Sequence, residues 1–134
     1  MTAYYLKLYL ATFAAFFVID LLWLGLVART FYRKYLGFIM AENVNWAAAI
    51  IFYLLFILGI LVFVTLPGLE SGSLQSTLIR AALFGLITYA TYDLTNLATL
   101  KDWPLTVTIV DLIWGTVLST AVSYVSFMAG KWLG

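Results

Sequence analysis

Long apolar runs interrupted by short polar connections make up most of this chain. Four of them approach or exceed the roughly 20 residues that a helix needs to cross the hydrocarbon core of a bilayer. They cover residues 5–27, 46–66, 78–100 and 104–132. Lipid offers no hydrogen-bond partners to the backbone, and four strands cannot close a barrel, so each run is predicted to be a helix. We expect an all-α integral membrane protein, a compact bundle of four transmembrane helices forming a single domain over residues 1–134.

Turn-forming residues separate the runs. Pro67 and Gly68, followed by the polar stretch 70–73, are expected to end the second helix. Residues 101–104 form a short connection whose proline suits the start of the fourth helix. The first connection, 29–45, mixes basic and aromatic side chains. It is either an interfacial segment in the headgroup region or an extension of the first helix followed by a loop.

Composition supports membrane embedding and excludes several functions. Hydrophobic residues make up 65% of the chain and charged residues only 10%, whereas soluble domains carry roughly 25% charged residues. The net charge of +1 gives no reason to expect nucleic acid as a partner, and membrane lipid is the expected partner. The chain has no cysteine and no histidine, so it lacks disulfides, thiol nucleophiles and the usual zinc ligands.

Basic residues give a weak orientation signal. The first and third connections carry Arg29, Arg33, Lys34 and Lys101, and short cytoplasmic loops are enriched in such residues. We therefore expect these two connections to face the cytoplasm and both termini to lie on the other side.

Three aspartates inside the predicted spans are the most informative residues. Asp20, Asp93 and Asp111 each lie about seven residues from the span end that faces the first and third connections, a depth of roughly 10 Å at 1.5 Å per residue. A carboxylate in this position is costly and normally faces a cavity or a partner. We expect the three side chains to converge on one site. The structural alternative is that each is merely hydrogen-bonded at a helix contact.

Other polar and aromatic side chains follow the same helical stripes. In the third run, Tyr89, Asp93 and Asn96 recur at the spacing of one helix face, and Tyr92 begins the adjacent stripe. The predicted ligand-binding residues are Asp20, Asp93, Asp111, Tyr89, Tyr92, Asn96, Trp23 and Trp114.

Small residues predict where the last two helices touch. Ala81 and Gly85 in the third run, and Gly115 and Ser119 in the fourth, recur at every fourth position in line with an aspartate. Such spacing lets membrane helices approach closely. We therefore expect the aspartates of these runs to lie on a helix contact and not on the lipid side.

Four functions are compatible with an aspartate site inside a membrane. Aromatic walls around carboxylates suit binding of a polar, cationic or lipid-headgroup ligand. Proton-coupled transport is an alternative, and with only four helices it would require a homodimer. Membrane-embedded modification of a lipid would use the aspartates and Asn96 as oxygen ligands for Mg²⁺, or the aspartates as acid and base. An accessory subunit would instead dock another membrane protein. The sequence identifies no cofactor, metal or catalytic residue.

One stretch carries a family resemblance. Residues 92–99, together with Asp111, Trp114 and the earlier Asp20, resemble a family of small four-helix bacterial inner-membrane proteins of unknown function. The similarity covers nearly the whole chain. It implies a multi-pass protein of the bacterial inner membrane and brings no assigned activity.

Overall fold

A computed structural model describes residues Met1–Gly134 and contains four long helices and no strand. The helices are α1 (Thr2–Leu36), α2 (Trp46–Ser71), α3 (Leu74–Thr99) and α4 (Leu105–Leu133). By length and composition, α1, α2 and α4 are long and apolar enough to cross a membrane. α3 has 26 residues and packs antiparallel along α4. The all-α membrane fold predicted from the apolar runs is confirmed.

Local sequence explains the boundaries of α2 and α3. Asn45 caps α2 by accepting a hydrogen bond from the backbone N–H of Ala48 at 3.2 Å. Ser73 caps α3 by accepting one from the backbone N–H of Ser76 at 3.1 Å. Gly72 follows the end of α2 with a φ of 70°, a left-handed conformation that glycine adopts without strain. The connection between α2 and α3 is therefore a tight polar turn.

α1 extends beyond the first predicted span. It passes through a wide π-helical turn at Leu24–Ala28 and continues as α-helix over Arg29–Leu36. The basic, aromatic segment therefore begins as helix, and only residues 37–45 connect α1 to α2. This extension brings the aromatic side chains of the segment against the start of α4.

α2 also continues past the point where the sequence predicted its end. A second π-helical turn covers Leu61–Thr65, and the helix then runs through Pro67 to Ser71. Proline lacks an amide N–H, and its ring crowds the carbonyl four residues earlier. The wide turn accommodates both effects, because it changes the hydrogen-bonding pattern immediately before the proline.

The closest helix contact joins α3 to α4. A Cβ on Gly85 would overlap the backbone carbonyl of Gly115 and the side chain of Ser119. A Cβ on Gly115 would overlap the ring of Tyr89. These small residues form the contact that the sequence predicted.

Two apolar clusters pack the bundle. The larger lies in the middle and contains Phe16, Phe56, Ile57, Ile60, Leu118 and Val122. The smaller joins Leu36, at the end of α1, to Trp103 and Val107, at the start of α4. The first and third connections therefore share one end of the bundle, which we term the connection end.

A chain of buried hydroxyl groups joins three helices farther from the connection end. The hydroxyl of Thr65 donates to Ser126 Oγ at 2.9 Å. Ser126 Oγ lies 2.7 Å from Thr12 Oγ1, which donates to the carbonyl of Leu8 at 2.8 Å. Thr12, Thr65 and Ser126 are fully buried. We call these three residues the hydroxyl chain, and it links α1, α2 and α4.

Candidate functional site

Two of the three aspartates meet at the contact between α3 and α4. Asp93 is 0% exposed and Asp111 is 5% exposed. Their carboxyl groups are near enough to share a hydrogen bond when one of them carries a proton. We call these two residues the carboxyl pair. The close approach of the two helices at Gly85 and Gly115 is what brings the pair together.

The carboxyl pair has few protein donors. Asp111 accepts a hydrogen bond from the hydroxyl of Tyr32, on the helical extension of α1. Neither carboxylate oxygen of Asp93 has a hydrogen-bond partner. Asp93 therefore has no lysine or arginine bound to it, although basic residues are present in both connections at this end. A buried, unpartnered carboxyl group is costly, so the pair departs from ordinary membrane packing.

An apolar layer separates the pair from the connection end. The layer lies one helical turn beyond Tyr32, Asp93 and Asp111. Its residues, four positions farther toward the connection end, are Leu36, Leu97 and Val107, respectively. Trp103 completes the layer and is only 7% exposed. We call these four residues the apolar cap. It shields the pair from water at the connection end.

A cavity of about 440 Å³ reaches the pair from the side of the bundle. Its lining residues come from α2, α3 and α4, and they are Phe52, Thr88, Tyr89, Tyr92 and Asp111. Phe52 is 47% exposed and Tyr92 is 57% exposed on the outer surface of the bundle. The backbone of the first half of α2 approaches α1, whereas α2 meets α3 through its second half. We call this opening between α2 and α3 the lateral cavity.

The third aspartate lies in a second, adjoining cavity. This space of about 250 Å³ is bordered by Asp20 and by Trp23 and Trp114. The two indole rings stack with centroids 4.4 Å apart and an angle of 8° between their planes. Phe52 and Tyr89 border both cavities, so the two spaces are neighbours.

The expected convergence of all three aspartates therefore holds only for two. α1 continues to Leu36, so Asp20 lies about four turns before the end of its helix, whereas Asp93 and Asp111 lie about two turns from theirs. Equal depth was inferred from a span that ended at residue 27. Trp23 stacks on Trp114, which lies about one turn farther from the connection end than Asp111, and Asp20 lies about one turn beyond Trp23.

The remaining predicted residues divide between the two cavities. Tyr89 and Tyr92 line the lateral cavity with Asp111, and Trp23 and Trp114 lie with Asp20. Asn96 is half-buried on α3 beside Tyr92 and lines neither cavity.

The predicted set of ligand-binding residues omits three residues at the site. Thr88 lies four positions before Tyr92 on the same stripe, so the spacing could have identified it. Phe52 carries no signal, because it is one apolar residue in an apolar run. Tyr32 follows the π-helical turn of α1, which shifts the face that later residues present, so ordinary helical spacing from Asp20 does not lead to it.

The donor set of the site is made of oxygen acceptors and aromatic rings. No group of three or more histidine, cysteine, aspartate or glutamate side chains is arranged to hold a metal ion. Two carboxylates that face each other cannot both stay charged without a counter-charge. The arrangement is suited to accepting a proton or a cationic, hydrogen-bond-donating group.

Comparison with known proteins gives one match. The chain matches the family described as "Predicted membrane protein (DUF2177)" over residues 5–128. The matched range reaches into all four helices and includes every residue that lines the two cavities, which confirms the resemblance found in the sequence. No curated protein and no solved structure matches the chain.

Proposed function

This chain belongs to the DUF2177 family of membrane proteins, and we propose that it binds, within the membrane, a ligand with a cationic, hydrogen-bond-donating head group. One observation carries the proposal. Asp93 is fully buried, neither of its carboxylate oxygens has a partner, and it lies beside a second carboxyl group that borders an open cavity.

The energetics favour a ligand over a purely structural role. Leaving a buried acceptor unsatisfied costs about 1–3 kcal/mol, and more for a charged group. A structural aspartate would recover this cost from a tyrosine, a threonine or a basic side chain. Asp111 has such a donor in Tyr32, but Asp93 has none. A cationic head group next to Asp111 would supply the missing charge to both residues.

The walls of the lateral cavity suit the same ligand. Phe52, Tyr89 and Tyr92 provide three aromatic rings next to one carboxylate. Aromatic rings attract cations, and the attraction strengthens where water is excluded. Phosphate groups would instead be repelled by the carboxyl pair, since no basic side chain contacts Asp93.

The proposed location is the cytoplasmic half of a bacterial inner membrane. Arg29, Arg33, Lys34 and Lys101 all belong to the connection end, and positive residues favour the cytoplasmic side. The pair lies about two turns, or roughly 10 Å, from the ends of α3 and α4 at that side. This depth corresponds to the region beneath the cytoplasmic head groups.

The test is native mass spectrometry of the protein released from nanodiscs made with a bacterial lipid extract. We expect the wild type to retain a small molecule or lipid that Asp93→Asn loses. The matched control is Asp102→Asn, which makes the same chemical change at an exposed position in the connection between α3 and α4. Equal retention by all three proteins, or no retained mass in the wild type, would count against the proposal.

Proton-coupled transport is the second candidate, and the adjoining cavity favours it. Asp20 lies deeper in the bundle, and Tyr89 and Phe52 separate it from the carboxyl pair. Two acidic positions in neighbouring cavities would let a cation and a proton exchange. This function would require a homodimer to complete a path. In proteoliposomes with an internal pH dye, it predicts proton release when ethylammonium is added, and loss of that release in Asp20→Asn.

The other two candidates have less support. A metal-dependent lipid-modifying enzyme would need ligands beyond the carboxyl pair, because no third acidic side chain is grouped with it. An accessory subunit would present its polar stripe to a partner, but Asp93 is turned into the contact with α4 and is fully buried.

A further inference from the structure

The lateral cavity and the apolar cap together define a route of access. The cap covers the carboxyl pair on the side of the connection end, where water lies nearest. The cavity opens between α2 and α3, on the side of the bundle that faces lipid. A ligand that reaches Asp111 without disrupting the cap must therefore come from the bilayer.

The depth of the cavity limits what kind of molecule can arrive by that route. α3 and α4 have 26 and 29 residues, lengths of about 40 Å, close to the thickness of a bilayer with its head groups. The carboxyl pair lies roughly 10 Å from one end. At that level head groups give way to acyl chains. A molecule with its polar group at this depth and its tail in hydrocarbon is an amphiphile.

Asp111, which lines the lateral cavity, and Asp93, which lies buried beside it, select the head group. The unpartnered oxygens of Asp93 require N–H or O–H donors, and two facing carboxylates require positive charge. A primary ammonium group meets both needs because it has three donors and one charge. A quaternary ammonium group meets only the second need, and a phosphate group carries the wrong charge.

We propose that the ligand is an amphiphile with a primary ammonium head group and an alkyl tail, which enters from the bilayer between α2 and α3. This proposal rests on the proposed function and specifies its substrate class and its path. The ammonium group lies against Asp111 and next to Asp93, and the tail leaves past Phe52 and Tyr92 into lipid.

The first experiment varies the probe and keeps the protein unchanged. The protein in phosphatidylcholine nanodiscs is titrated with dodecylammonium, and bound probe is counted by native mass spectrometry. We expect one bound molecule per chain. Butylammonium, with the same head group and eight fewer methylenes, is expected to bind more than about 100-fold more weakly, because each methylene contributes to partition into lipid. Dodecyltrimethylammonium should bind about tenfold more weakly, and dodecyl phosphate should not bind.

The second experiment blocks the opening. Thr88 lines the lateral cavity, whereas Thr91 is exposed elsewhere on α3, and each donates to a carbonyl of its own helix at 2.8 Å and 2.7 Å. Thr88→Trp is expected to weaken dodecylammonium binding about tenfold or more, and Thr91→Trp to leave it unchanged. Equal effects of the two substitutions would overturn the lateral route.

The outcomes separate this inference from the proposed function. If butylammonium and dodecylammonium bind equally well and Asp93→Asn abolishes binding of both, the binding site is confirmed and entry from the bilayer is contradicted. If the trimethyl probe binds as tightly as dodecylammonium, the primary ammonium class is wrong. If no amine binds in a manner that depends on Asp93, the proposed function itself fails. The comparison of probes uses the wild-type protein, so it still tests the proposal if Thr88→Trp does not fold.

Discussion

Two buried polar clusters lie between helices of this bundle and differ in how completely they are hydrogen-bonded. In the hydroxyl chain of Thr12, Thr65 and Ser126, every donor has an acceptor, and the chain ends at a backbone carbonyl. In the carboxyl pair, Tyr32 is the protein donor to one member and the other member has none. Equal burial with unequal hydrogen bonding separates a polar group that joins helices from one that requires a further partner.

The largest expected effect disturbs the contact between α3 and α4 that holds the carboxyl pair. Gly85→Ala would place a Cβ against the backbone carbonyl of Gly115, which cannot rotate away as a side chain can. We expect a loss of about 3 kcal/mol in the free energy of unfolding, at the upper end of overpacking costs. Tryptophan fluorescence during unfolding of the protein in detergent micelles measures it. Gly25→Ala is the control, since its added Cβ would meet nothing within 4 Å. Similar stability of both variants would contradict the packing.

The next effect has opposite signs for stability and for binding. Asp93→Asn gives the pair an N–H donor directed at Asp111, and a hydrogen bond to a charged group contributes about 2 kcal/mol. We expect the variant to unfold at higher denaturant than the wild type and to lose dodecylammonium binding. Asp102→Asn, in the exposed connection, should change neither quantity. A less stable Asp93→Asn protein would indicate that the carboxyl group serves the fold.

The reverse result is expected in the hydroxyl chain. Ser126→Ala removes the acceptor of Thr65, and a lost hydrogen bond with an unpaired buried hydroxyl costs about 1–2 kcal/mol. Binding of dodecylammonium should stay unchanged, because the chain does not border either cavity. Ser123→Ala is the matched control on α4, since Ser123 is buried and its hydroxyl has no partner. If Ser126→Ala weakened binding more than stability, the two clusters would not be independent.

The smallest effect concerns Tyr32, the protein donor to the carboxyl pair. Tyr32→Phe removes the hydrogen bond to Asp111, and we expect a loss of about 1 kcal/mol in the free energy of unfolding. Dodecylammonium should bind a few-fold more tightly, because Tyr32 no longer competes for the same oxygen. Tyr35→Phe serves as the control, because Tyr35 packs beside the apolar cap without contacting the pair. Titration of both variants in nanodiscs checks this, and weaker binding by Tyr32→Phe would show that the phenol is part of the binding site.

Hydropathy and spacing were sufficient for the four helices and for half of the site. The apolar runs are long, and the residues at every fourth position of α3 and α4 place Asp93, Gly85 and Gly115 on one contact, as the structure shows. Regular helix geometry relates these positions, so they are readable from the sequence.

The other half of the site depends on departures from regular geometry. The π-helical turn at Leu24–Ala28 inserts an extra residue into α1 and changes which side chains after it face α4. Tyr32, after that turn, reaches Asp111, whereas Asp20, before it, lies in the adjoining cavity. The lateral cavity beside Phe52 exists because the first half of α2 packs against α1 and not against α3. This is a tertiary contact, and no local pattern in an apolar run predicts it.

The apolar cap also has a consequence for time. With Leu36, Leu97, Trp103 and Val107 packed over the carboxyl pair, a molecule bound at Asp111 can leave only through the lateral cavity by which it entered. Entry and departure then follow one path, so a substitution that narrows the opening would slow both.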